Sequence, residues 1–122
     1  MENKEFSKKL EVRTKAFAIR IIRLSSLLPN RIEEKVIRNQ MTKAGTSIGA
    51  NYREATRARS RADFKNKIKI CESEANETSY WLEIARELKW CDSKDLESVL
   101  VEANELLAIF TSIGRTLQLQ AL

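Results

Sequence analysis

A chain of 122 residues with 43% hydrophobic side chains has the length of one domain (1–122) and material for one modest core. Its single Pro and three Gly suit long helices joined by short turns and argue against a β-rich fold, and no run of about 18 apolar residues could span a membrane. The formal charge is +5 and histidine is absent, which removes Ser-His-Asp and Cys-His catalysis, the usual zinc sites and the Glu-x-x-His di-iron pattern.

Hydrophobic periodicity predicts four helices. The first spans about Glu5 to Leu28, with Phe6, Leu10, Phe17, Ile21, Leu24 and Leu28 on one stripe, and Pro29 ends it. Asn30 with Glu33 reads as a capping box for the second helix. That helix is expected to run to about Arg59 on a stripe of Ile37, Met41, Ala44, Ile48, Asn51, Ala55 and Ala58. Ser60 with Asp63 caps the third, which carries Phe64, Ile68, Cys71, Ala75, Thr78, Leu82 and Ala85. Asp92 with Asp95 opens the fourth, carrying Leu96, Leu100, Ala103, Leu107, Phe110 and Leu117. Short loops make consecutive helices antiparallel, so the expected fold is an all-α, up-down-up-down four-helix bundle.

The opening residues, Met1 to Glu5, precede no apolar stretch of the kind a signal peptide needs. Cys71 and Cys91 belong to no C-x-x-C pair and read as reduced thiols. Both features point to a cytoplasmic protein. No cofactor and no metal is indicated.

Ser47 to Ala55 is the least generic stretch. Gly45 and Gly49 lie one turn apart, and each weakens a helix by about 1 kcal/mol relative to Ala. Close approach of a neighbouring helix is the usual compensation. Asn51 falls on the core stripe, where an amide needs partners and can specify register. With Glu54, Glu74 and Glu77 it suggests a polar cluster between the second and third helices, answered by Arg20 or Arg23. The same carboxylates could instead hold a divalent ion in a nuclease, although no spacing motif supports that.

The third helix has a second apolar sector of Ile70, Trp81, Ile84 and Leu88. It reads either as the edge of a broad core or as a subunit interface. The charge is local as well. Residues 53–69 hold seven cations, Arg53, Arg57, Arg59, Arg61, Lys65, Lys67 and Lys69, against Glu54 and Asp63, and the rest of the chain is balanced. Such a cluster is a plausible phosphate-binding footprint or simply a solvated surface. Its only aromatic, Phe64, is assigned to the core, so sequence-specific base stacking is not indicated.

Several segments together carry a resemblance: Gln40 to Ala55 (QMTKAGTSIGANYREA), Arg57-Ala58-Arg59-Ser60 with Asp63-Phe64, Cys71 to Thr78 (CESEANET), and Trp81-Leu82. The chain resembles the small bacterial four-helix-bundle proteins of 23S ribosomal RNA intervening sequences. Those are related to the accessory variability protein of diversity-generating retroelements. The resemblance implies a bundle assembling as a ring, typically a homopentamer, with no established enzyme activity. It also implies that a basic surface, here Arg53, Arg57, Arg59 and Arg61, meets nucleic acid and a reverse transcriptase.

The function expected from the sequence is therefore a non-enzymatic, oligomeric bundle binding RNA or DNA through phosphates at its basic end. A protein–protein adaptor, or a reverse-transcriptase accessory subunit, is the alternative. A metal-dependent nuclease using Glu54, Glu74 and Glu77 is a distant third.

Overall fold

The computed structural model describes residues 4–121. Four helices, α1 (Lys4–Leu27), α2 (Ile32–Thr56), α3 (Arg61–Glu87) and α4 (Ser93–Ala121), pack as a bundle, with no strand among the described residues. Each helix packs on its neighbours in chain order, and α1 also meets α4, the loosest of the four seams. The pairings show the alternating directions. Ile21 faces Gly45 and Thr14 faces Gly49 across α1 and α2. Glu72 meets Thr111, Ser79 meets Asn104 and Arg86 meets Glu97 across α3 and α4.

The core follows the apolar stripes with local shifts of phase. On α2 the fully buried residues include Met41, Ala44, Ile48 and Tyr52, whereas Asn51 is only half-buried. The spacing 45-48-52-55 fits a helical face as well as the expected 44-48-51-55, and the large ring rather than the amide is turned inward. Tyr52 crosses the bundle: its ring lies edge-on to Phe110 of α4 at 5.6 Å, and its hydroxyl donates to Ser7 Oγ of α1 at 3.0 Å. Asn51 Nδ2 donates to the Ser47 carbonyl of its own helix. On α4, Leu106 is fully buried and Leu107 only partly, again a one-residue change from the expected stripe.

The caps show similar small differences. The box that opens α2 lies one residue later than expected: the Glu34 carboxylate, not that of Glu33, accepts from the Arg31 backbone N–H. Asn30 Oδ1 is taken by Arg38 instead. The Arg31 guanidinium also binds Glu34 and holds its carboxyl below the usual carboxylate range, against the opposing effect of burial. Ser60 caps α3 as expected, accepting from the Asp63 N–H at 3.0 Å. α2 ends at Thr56, with Arg57 as its C-cap, rather than near Arg59, and Ser60 then takes the extended conformation that capping α3 needs. Asp92 accepts from the Lys94 N–H rather than engaging Asp95. Lys89, with φ 55°, closes α3 in a left-handed turn: its N–H donates to Arg86, and the next N–H, of Trp90, reaches Ala85.

The two α2 glycines do what their spacing suggested. A Cβ on Gly45 would lie 2.8 Å from Ile21 Cγ1, and one on Gly49 would lie 3.2 Å from the Thr14 backbone. Gly114 on α4 has nothing within 4 Å. Gly45→Ala should therefore lower stability by about 1 kcal/mol, because crowding the buried Ile21 outweighs the helix-propensity gain. Gly114→Ala should raise stability by about 0.5–1 kcal/mol. Urea denaturation of both variants checks this, and a stabilised Gly45→Ala would contradict the close-approach account.

Candidate nucleic-acid interface

Antiparallel packing brings the start of α1, the end of α2, the start of α3 and the end of α4 to one end of the bundle. Between them lies an open groove of about 400 Å³. The half-buried Ala58 and Phe64 give it apolar surface above the buried Ala55 and Leu117, and the hydroxyl residues Ser7, Thr56 and Ser60 line it as well. Lys4, Arg59 and Arg61 supply the charge, and none of the described lining residues is acidic. Arg61 Nη2 donates to Gln120 Oε1 at 2.7 Å, tying the start of α3 to the end of α4.

The seven cations singled out in the sequence do not form one patch. Arg53 and Arg57, one turn apart, lie towards α1. There Arg57 sits 3.8 Å from Glu11 and donates to the Arg53 carbonyl. Arg53 lines a shallow groove with Lys15, Glu11 and Glu54. Arg61, Lys65 and Lys69 recur every fourth residue and so share one face of α3, on the side of α4. Lys67 is off that row. Among the described residues, no carboxylate is within ion-pair distance of Arg53, Arg59, Arg61, Lys65, Lys67 or Lys69. Lys4 was not anticipated. Its place follows from antiparallel pairing, which puts the start of the first helix beside the end of the second.

The anticipated polar cluster is not assembled. No hydrogen bond or ion pair joins Asn51, Glu54, Glu74 and Glu77 to one another. Glu54 is exposed on the α1 side, and Glu77 accepts from the Trp81 indole N–H on its own helix at 3.3 Å. Arg20 points to α4, where it donates to Ser98 Oγ at 2.6 Å, and Arg23 lines the same seam. Asn51 and Glu77 each find a partner one turn away on their own helix, and Glu54 lies on the α1 side, so the four do not converge. Among the described residues, no three Asp, Glu or Cys side chains come together as metal ligands would.

The polar anchor that sequence reading missed is on the α1–α4 seam. Arg13 binds Glu102 through two nitrogens at 2.7 Å and Glu105 at 2.6 Å. The Glu102 hydrogen bond raises the already high guanidinium pKa, against the lowering effect of burial. Nothing in the local pattern of α1 announces a pair 89 residues apart.

Within the second apolar sector of α3, Ile70, Trp81 and Ile84 are half-buried and Leu88 is 56% exposed. Trp81 packs against the core and lies edge-on to Tyr80 at 5.0 Å. Larger apolar exposure occurs on α1 and at the start of α2, with Val12, Ile19, Leu27, Ile32 and Val36 in solvent. Neither cysteine is held in a disulfide among the described residues. Cys71 is buried, and burial, with help from Asp95 and Asp92, pushes the Cys91 thiol up.

Residues 8–112 match the sequence profile of the 23S rRNA-intervening sequence protein family. The chain belongs to that family. A crystal structure of a protein of unknown function from the S23 ribosomal protein family of Bacteroides thetaiotaomicron is similar, at 39% identity and a TM-score of 0.81. The similarity covers 89% of this chain and 97% of that one. No curated protein matches. The family match takes in Gly45, Gly49, Tyr52 and all seven cations, whereas Lys4, Ser7 and Leu117 of the groove lie outside it.

Proposed function

We propose that this member of the 23S rRNA-intervening sequence family is a non-enzymatic, cytoplasmic, self-associating bundle that binds RNA or DNA through backbone phosphates. The observation that carries the reading is the groove end, where Lys4, Arg59 and Arg61 surround a cleft with no acidic lining and no ion-pair partner among the described residues. Unpaired cations at a concave end attract polyanions, and phosphate binding releases condensed counterions. The family's name makes ribosomal RNA the first strand to test. Fluorescence anisotropy with labelled RNA, single-stranded DNA and duplex DNA at several salt concentrations is the test. Micromolar binding that weakens steeply with salt supports the reading, and flat curves at low salt overturn it.

Self-association, as the pentameric ring that the family resemblance implies, is supported by Val12, Ile19, Leu27, Ile32 and Val36, large apolar side chains left exposed on α1 and α2. A ring would repeat the basic groove and multiply phosphate contacts. Light scattering should give a mass above that of the 14.1 kDa chain. Ile19→Glu and Trp81→Ala then show which face is used, and a monomeric wild type removes the ring. The same apolar surface supports the alternative of an adaptor for another protein, a reverse transcriptase among them. A salt-insensitive complex with such a partner and no nucleic-acid binding would select it.

A further inference from the structure

Phosphate binding accounts for the cations of the groove but not for its floor. A site for phosphates alone gains nothing from the half-buried Phe64 beneath the cations, because an anion pressed against hydrocarbon loses hydration without a hydrogen bond in return. Phe64, assigned to the core by its periodicity, is only half-buried and lines the open groove. An aromatic side chain under a cationic rim with no acid among its described residues is complementary to a molecule with a flat π-face and an attached negative charge. The volume, about 400 Å³, lies within the range of cavities that hold small organic groups.

We propose that one splayed-out nucleotide of a bound single strand seats its base in this groove, against Phe64, with its flanking phosphates on Arg59, Arg61 and Lys4. This rests on the nucleic-acid reading and makes it more specific: the protein takes unpaired strands, loops or ends in preference to duplex. A paired base is held in its stack and cannot reach the floor, whereas an unpaired base loses little by leaving. Base–aromatic stacking is sequence-tolerant, so the groove selects strandedness and not sequence.

The test crosses two strands with two proteins. The strands are an oligothymidylate and a fully abasic oligomer of equal length and phosphate count. The proteins are the wild type and Phe64→Leu, which keeps apolar volume at a position packed on the core but removes the ring. Expected for the wild type is binding of the oligothymidylate roughly ten- to a hundredfold tighter than of the abasic strand. Phe64→Leu should lose most of that preference while binding the abasic strand as the wild type does. Circular dichroism confirms that the variant is folded. Ala58→Leu, which narrows the groove without changing charge, should act in the same direction. Equal, salt-steep binding of both strands by the wild type overturns base insertion and leaves phosphate binding standing. Equal losses on both strands in Phe64→Leu overturn it too. Binding of neither strand removes the nucleic-acid reading and this inference with it.

Discussion

Reversing Arg59 and Arg61 together (Arg59→Glu, Arg61→Glu) should weaken single-strand binding on the order of a hundredfold at low salt and leave the fold intact. Both side chains are exposed, and Arg61 forms only a surface hydrogen bond to Gln120. Each phosphate contact to a single strand contributes about 0.7 to the slope of log affinity against log salt, so losing two should flatten the slope by roughly 1.4. Arg57→Glu alone is the useful contrast. Arg57 is already partly answered by Glu11 at 3.8 Å and lies on the α1 side, so its reversal should cost much less. Anisotropy titrations at three or more salt concentrations measure both quantities. Wild-type affinity and slope in the double variant would place any nucleic-acid contact elsewhere on the surface.

Tyr52→Ala should destabilise the bundle by about 3–5 kcal/mol, a large share of the 5–15 kcal/mol that holds a domain of this size. The ring is fully buried and is the largest side chain that is. It joins α2 to α4 through Phe110 and to α1 through Ser7, so its loss leaves a cavity where three helices meet. Tyr52→Phe keeps the packing and gives up the hydroxyl bond to Ser7, for about 1 kcal/mol. A thermal melt should show roughly 10–20 °C lost in Tyr52→Ala and a few degrees in Tyr52→Phe. Because Ser7 lines the groove, a Tyr52→Ala protein that still folds should also bind nucleic acid less well. An unchanged melting temperature would contradict the central role given to the ring.

The sites divide by how local their signals are. The cations at 53–69 could be read directly, because charge composition needs no fold. Their division into an α1-facing pair and an α4-facing row could not, since that depends on which neighbour each turn of α2 and α3 meets. The expected cluster of Asn51, Glu54, Glu74 and Glu77 failed for the same reason. Helical spacing gives a direction around one axis, but two helices can be rotated against each other by a fraction of a turn. That rotation took Asn51 off the core and put Tyr52 in its place. A tyrosine one residue from a predicted buried amide was the available clue, because burying a large ring gains more than burying an amide.

By itself the sequence determined the number of helices, their N-terminal caps to within a residue, the short turns that force antiparallel pairing, and the close approach at Gly45 and Gly49. These are set by local periodicity, by Pro29 and Ser60, and by the need to offset glycine in a helix. Only the tertiary structure decided that Tyr52 and Leu106 are inward, that Arg13 joins α1 to Glu102, and that Lys4, Arg59, Arg61, Phe64 and Leu117 share one groove. Those outcomes depend on contacts between residues tens of positions apart. They are settled by which rotation of each helix packs the whole core without voids, a choice no single helix can make alone.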